Sequence, residues 1–320
     1  MTARVHTGEY RRIGAGESGL KPEWVTRPCP LCGRNGETRV FAESNIDLAE
    51  LDGFAFASRK LPEYMHPRLM LCGQCGILYG NPVLSPDTLA RAYRNADFDS
   101  GGEAHYASVT YAAHVRKILR RLPDLQGALD IGTGDGAFVE ELLRLGFRDV
   151  AGVEPSEAPV AAAKAEIRPL IRLNIFRPED FSAASLSLVS CFQTMEHVWD
   201  PLGTVRGAYG LLKRGGAFFM AVHNRKSISA KLLGMRSPIF DLEHLQLFCP
   251  TTARLLLERA GFRDVVVSTL WNRYPIDYWV KLSPMPAAIK RPLLAALKRS
   301  VIGRAPLALP PGNMICFGFK

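Results

Sequence analysis

Residues 127–156 read GALDIGTGDGAFVEELLRLGFRDVAGVEPS, from Gly127 to Ser156. The apolar run Ala128-Leu129-Asp130-Ile131 predicts a short buried strand. It breaks into Gly132-Thr133-Gly134-Asp135-Gly136, where glycines permit a tight turn and close approach of backbone to ligand. A helical pattern follows, with Phe138, Leu142, Leu143 and Leu145 on one side, and Gly146 closes it. A second strand, Val150 to Val153, ends in an acid, Glu154. Strand, glycine loop, helix, strand and acid together make a unit that binds a ribose.

The acid sets the ligand chemistry. A carboxylate about 20 residues after such a loop can accept both ribose hydroxyls of an adenosine. The glycines by themselves also fit a nicotinamide dinucleotide. Two carboxylates tip the balance. Asp130 stands inside the strand, where it suits a cationic amino-acid ligand better than a pyrophosphate. The loop carries Asp135 and no basic residue, so a phosphate there would meet two negative charges. S-adenosylmethionine satisfies both conditions.

The sequence resembles the class I S-adenosylmethionine-dependent methyltransferases. Leu129-Asp130-Ile131-Gly132-Thr133-Gly134-Asp135-Gly136 is similar to their first motif, and Val153-Glu154-Pro155-Ser156 to their second. Thr194-Met195-Glu196-His197-Val198, with Asp200-Pro201, is similar to the motif after strand four in the ubiquinone-biosynthesis-type branch. Leu212-Lys213-Arg214-Gly215-Gly216 is similar to the turn before strand five. The resemblance covers roughly Tyr106 to Phe319. It implies cofactor contacts at Asp130, Gly132, Thr133, Gly134, Glu154 and Gln193. It also places adenine beside the third strand, near Asn174 or Pro178-Glu179-Asp180.

A second motif lies upstream. Cys29-Pro-Leu-Cys32-Gly33 and Cys72-Gly-Gln-Cys75-Gly76 are matched turns, each aiming two thiolates at one point. Together they predict a tetrahedral site for a structural Zn²⁺ with no open position. The insert, Glu37 to Leu71, must carry strands and a loop of its own. With Tyr79-Gly80-Asn81-Pro82 and a helix over Ser85 to Tyr93, this module resembles the zinc-binding leader of a methyltransferase branch associated with sugars, polysaccharides and secondary metabolites. Sugar C-methyltransferases of that branch carry a long further domain after the catalytic one. The present sequence has little after its last strand, which favours O- or N-methylation.

The expected organisation is a disordered tail over 1–26, a zinc-ribbon-like module over 27–95 and a methyltransferase domain over 96–320. The fold class is α/β: a doubly wound seven-stranded Rossmann-like sheet, with a final antiparallel edge strand implied by the resemblance. Helices are expected over 107–122, 157–167, 201–212 and 251–260. Tyr106, just before the first of these, and Tyr111 within it either line the site or pack the helix. Strands are expected near 170–175, 186–192, 217–222, 265–269 and 314–319.

Methyl transfer to a hydroxyl needs positioning and removal of one proton. Histidine suits that task near neutral pH. His197 follows the fourth strand, His223 ends the fifth, and His244 lies in Asp241-Leu242-Glu243-His244-Leu245, a loop that relatives use to close the substrate side. Some ubiquinone-type relatives ligate a divalent metal at the positions of Gln193, Glu196 and His197. Gln193 is not an acid, so a catalytic metal is not expected.

The formal net charge is +9, which favours an anionic partner. Cysteine pairs without a signal-like start point to a reducing, cytoplasmic location. Around 286–302, Ile289, Leu293, Leu297 and Val301 recur every four residues among Lys290, Arg291, Lys298, Arg299 and Arg304. Such a helix either packs on the domain or rests on an anionic membrane as a peripheral contact. The expected activity is O-methylation of a sugar, glycan or secondary-metabolite acceptor, which can be lipid-linked. Its rivals are an RNA methyltransferase and a non-catalytic cofactor-binding scaffold. Nucleic acid is the less favoured partner, because aromatic-rich basic clusters of the RNA-stacking kind are absent.

Overall fold

The computed structural model describes residues 23–34, 36–47, 64–94, 96, 101–283, 285–310 and 312–320. The expected tail falls largely outside these residues. Its last part does not: β1 (Trp24–Val25) pairs antiparallel with a strand at Val83–Leu84. Residues 24 and 25 of the expected tail therefore form a strand.

The N-terminal module continues with β2 (Thr38–Ala42), β3 (Leu69–Cys72), β4 (Leu78–Gly80) and β5 (Val83–Leu84), then α1 (Pro86–Arg94). The insert between the cysteine turns thus supplies β2 and most of β3. Residues 97–100, after the module, lie outside the described residues. Helix α2 (Gly101–Arg116) starts and ends about six residues before its expected position, and a 3-10 turn over Leu119–Arg121 follows.

The glycine-loop unit forms as read: β6 (Gln126–Ile131), α3 (Ala137–Arg144) and β7 (Arg148–Glu154). Next come α4 (Glu157–Ala162), β8 (Ile171–Leu173), β9 (Leu186–Phe192), α5 (Pro201–Leu211), β10 (Leu212–His223), α6 (Ile228–Leu233) and β11 (Gln246–Leu247). The chain ends with α7 (Pro250–Ala260), β12 (Arg263–Thr269), β13 (Asn272–Pro275), α8 (Ile276–Leu282), α9 (Ala287–Lys298), α10 (Val301–Arg304), β14 (Pro306–Leu309) and β15 (Asn313–Phe319). Helix α4 is a turn shorter than its alanine-rich sequence predicts. The chain bends so that Ala163 and Ile167 can bury in the core, and packing outweighs local propensity.

Seven strands make one sheet in the order β12-β15-β10-β9-β6-β7-β8. All neighbouring pairs are parallel except the two made by β15. The last strand is antiparallel, as expected, but it is not the edge. It inserts between β10 and β12. The sequences account for this: β15 is apolar and nearly buried throughout, whereas β12 leaves most of its side chains partly or fully exposed and suits an edge.

Alternation along β10 divides the core. Phe218, Met220 and Val222 face α5 and α7, while Ala217, Phe219 and Ala221 face α2 and α3. Phe218 and Phe219 are fully buried, each contributing about 1.5–3 kcal/mol through removal from water.

The cysteine module is joined to this sheet rather than tethered beside it. β11, from the catalytic half, pairs with β4 and completes a four-stranded sheet in the order β11-β4-β3-β2. Leu31, Ile77 and Tyr79 belong to the same core as α5 and α7. Buried Arg27 donates to the carbonyls of Gly80, Trp199 and Leu245 and to Gln246 Oε1. Burial lowers its pKa to about 10. Arg225 and Arg259 reach back to the carbonyls of Gly76 and Leu31.

Candidate functional site

The glycine loop is shaped by two close approaches. Gly132 has φ +72°, and a Cβ there would lie 2.3 Å from Thr194 Oγ1. Gly134 has φ +59° and opens onto free space, with nothing within 4 Å of a built Cβ. The first glycine lets the β6 and β9 loops touch. The second leaves a cradle that a side chain would fill. Backbone N–H groups of Gly132 and Thr133 donate to Val153 O, which pins the loop to β7.

Glu154 is buried at the end of β7. It accepts from Gly134 N at 2.8 Å and Ser156 N at 3.0 Å. Burial raises its pKa against the pull of these two bonds. Asp130, 3% exposed, accepts from Ser190 Oγ at 2.6 Å. Burial pushes its pKa up to about 7, with the Ser190 hydroxyl opposing. Two buried carboxylates beside an open glycine cradle fit a cationic, ribose-bearing cofactor and repel a phosphate. Leu173, opposite Glu154 in the β7–β8 register, and Ile175 are about half exposed. Between them lies Asn174, whose N–H donates to Glu154 O. Pro178-Glu179-Asp180 forms a short 3-10 turn further on. Tyr111 is a core residue, stacked on Phe192 at 4.2 Å. Tyr106 is partly exposed against Tyr274.

Past the end of β9 the backbone is strained. Gln193 has φ +52°, unusual for a side chain of its size, and its N–H donates to Ala221 O. Its Nε2 is buried without a hydrogen-bond partner among the described residues. A polar atom left so at the open end of a parallel sheet is suited to a ligand. Glu196 is engaged with the end of β10. It is fully buried, accepts from His223 N at 2.6 Å, and has its pKa raised by burial. One carboxylate oxygen of Glu196 is thus committed to the backbone of β10.

The three candidate histidines, distant in sequence, converge. His197 and His244 rings are 4.9 Å apart, and His223 and His244 rings 5.1 Å. The convergence is built by stitching. Leu245 N donates to Glu196 O, and Gln246 Nε2 donates to the carbonyls of Met195 and Val198, so the 241–247 segment lies along the loop after β9.

Each ring is oriented. His244 Nδ1 lies 2.8 Å from Ile239 O. A carbonyl only accepts, so the neutral imidazole carries its proton on Nδ1 and its basic lone pair on Nε2. His223 Nδ1 lies 2.7 Å from Asn313 Oδ1. Burial lowers the His223 pKa, with Glu196 opposing and His244 reinforcing. His197 Nδ1 is 3.1 Å from Tyr93 Oη and 3.6 Å from Glu243 Oε2. Donor atoms of His197, Glu243 and His244 lie within 4.8 Å of one another and can hold a divalent cation.

Sequence reasoning missed Tyr93, Glu243 and Asn313 as site residues. Glu243 stands beside His244 and was within reach of a motif search. Tyr93 comes from α1, in the cysteine module, and no local pattern marks it. Its hydroxyl pKa is raised well above the usual value by burial, and further by the Glu243, Asp241 and Glu154 carboxylates.

In the module, Cys29, Cys32, Cys72 and Cys75 bring their sulfurs within 4.8 Å of one another. Cys29 and Cys75 are 3.5 Å apart, Cys32 and Cys72 3.7 Å. A tetrahedron with metal–sulfur bonds of about 2.3 Å has edges near ~3.8 Å, so the donor set fits Zn²⁺.

The chain is similar to known proteins. Residues 104–267 match the family model described as a methyltransferase domain. Curated proteins similar to the chain include the ubiquinone biosynthesis O-methyltransferase of Neisseria meningitidis, 33% identical over 32% of this chain and 47% of that protein. The enzyme of the same name from Acinetobacter baumannii is 35% identical over 30% of this chain and 44% of that protein. The match thus spans less than half the length of these relatives. Among solved structures, a SAM-dependent methyltransferase from Archaeoglobus fulgidus is similar at 17% identity, with 67% of this chain and 94% of that chain covered and a TM-score of 0.45. A SAM-dependent methyltransferase from Thermotoga maritima is similar at 18% identity, with 68% and 92% covered and a TM-score of 0.44. The chain belongs to the methyltransferase domain family.

Proposed function

We propose that the protein methylates a hydroxyl of a sugar, glycan or secondary-metabolite acceptor. The convergence of His197, His223 and His244 at the open end of the sheet carries this reading. S-adenosylmethionine, when bound, supplies a methyl group already activated on a sulfonium. Glu154 would take the ribose hydroxyls, Leu173 and Ile175 would face the adenine, and Asp130 with the loop of Gly132, Thr133 and Gly134 would hold the amino-acid part. Gln193 Nε2 would donate to the same ligand.

The chain then has to orient the acceptor and take its proton. His244 is the base, because its Nδ1 is fixed as a donor to Ile239 O and its Nε2 lone pair accepts. Buried His223 stays neutral and polar beside it. Tyr93 and Glu243 orient His197, which hydrogen-bonds the acceptor. The O-methyltransferase names of the curated relatives support transfer to oxygen. Among acceptors of this class, one carried on a lipid suits the basic C-terminal segment. The four cysteines hold a structural zinc.

Methyl transfer from labelled S-adenosylmethionine into extract fractions tests the acceptor class. Label in glycan, lipid or small-molecule pools supports it, and label in RNA defeats it. A divalent cation at His197, Glu243 and His244 is the second reading, favoured by their donor spacing. Mn²⁺ avoids thiolate sites, so an Mn²⁺ resonance signal lost in Glu243→Gln would support it, and no binding would remove it.

A further inference from the structure

Residues 271–309 leave the sheet after β12 and return to it at β15, with β13 and β14 paired at their base. This segment contains seven of the chain's lysines and arginines and one acid, Asp277, in a protein of net charge +9. Most of the excess charge is concentrated there. The expected apolar stripe does not pack on the domain. Of its members, only Leu297 is half-buried; Ile289 and Leu293 are exposed, and Val301 is 88% exposed. Ile302 beside it is 67% exposed, and Trp271, at the start of the segment, 55%. The break between α9 and α10, capped by Ser300 Oγ accepting from Gly303 N, is what turns Val301 and Ile302 outward.

A second apolar projection follows β10, which ends at the same end of the sheet as β12. Ile228 and Leu232, one turn apart on α6, are 77% and 81% exposed, among Lys226, Lys231 and Arg236. Asn224 N donates to Gly312 O, and Leu270 N to Asn313 O. Helix α6 and Trp271 therefore flank one loop, and Asn313 of that loop holds His223. Helix α6 and the start of the 271–309 segment thus both adjoin the loop that holds His223.

We propose that residues 271–309 and the outer face of α6 seat the protein on an anionic lipid bilayer, with the site mouth toward the lipid. Aliphatic side chains and one indole standing out among cations are what an interfacial helix presents to a charged membrane. Apolar exposure of this extent is otherwise costly for a surface. A nucleic-acid surface would instead interleave its cations with stacking rings, and Trp271 is the one tryptophan with an exposed side chain in this region among the described residues. No helix among the described residues is long and apolar enough to cross a membrane, so the contact is with the surface.

Sedimentation of the full chain with vesicles tests this without any methyl transfer. Vesicles of phosphatidylglycerol and phosphatidylcholine should bind it at least tenfold more tightly than phosphatidylcholine alone. The double variant V301D/I302D should lose that advantage by a further tenfold. Its melting temperature and its binding of S-adenosylmethionine should not change, because both side chains are exposed. No binding to anionic vesicles at low salt would overturn the proposal. So would binding indifferent to the double variant, or displacement from vesicles by equimolar RNA.

Discussion

Tyr93 Oη lies 3.1 Å from His197 Nδ1, across a sequence separation of 104 residues. The tyrosine belongs to the helix that ends the cysteine module, and the histidine to the loop after β9 of the catalytic sheet. The module therefore contributes a group to the site and does more than decorate the domain. Tyr93→Phe should keep the fold and S-adenosylmethionine affinity but lower kcat roughly two- to tenfold, the effect of one hydrogen bond of about 0.5–1.5 kcal/mol. An unchanged kcat would make Tyr93 a packing residue only.

His244→Gln should lower kcat by roughly 10²–10⁴, the usual reach of a positioned base. Gln can still face Ile239 O, so the loop should hold its shape. Calorimetric binding of S-adenosylmethionine should match the wild type. Equal losses of binding and rate would assign His244 to the fold instead.

Asp130 sets a pH dependence. Burial raises its folded pKa to about 7, from an ordinary value of 3.8. The folded protein thus binds the proton more tightly than the unfolded chain. Stability is lost as pH rises from 3.8 through about 7. A cationic ligand needs the ionised form. S-adenosylmethionine affinity should accordingly rise about tenfold between pH 6 and pH 8. Asp130→Asn should flatten that slope and raise the melting temperature of the ligand-free protein at pH 8.

Zinc should be found at one ion per chain. Cys72→Ser, or chelation under mild denaturant, should release it and abolish activity. Structural zinc sites supply about 10–16 kcal/mol in small peptides, on the order of a whole domain's net stability of about 5–15 kcal/mol. The catalytic sheet should unfold with the module, because β11 and Arg27 join the two. A chain that loses zinc and keeps full activity would contradict this.

The unit from Asp130 to Glu154 could be read from residue order because its parts are local: a buried run, glycines, a helix, an acid. The cysteine turns were readable for the same reason. The position of β15 was not, since an apolar strand buried on both faces does not name its neighbours. The three histidines were each picked out, but not their meeting. That depends on Gln246 and Leu245 bonding to the loop of Met195 to Val198, contacts about 50 residues long. Tyr93 was invisible because an ordinary surface-helix tyrosine has no distinguishing pattern until α1 is docked.

Labelled methyl transfer into fractionated extract, run with wild type and His244→Gln at equal S-adenosylmethionine saturation, tests the account most directly. The account predicts label in the glycan, lipid or small-molecule pool with wild type and its near-loss with the variant. Label confined to RNA, or equal transfer by the two proteins, would contradict it.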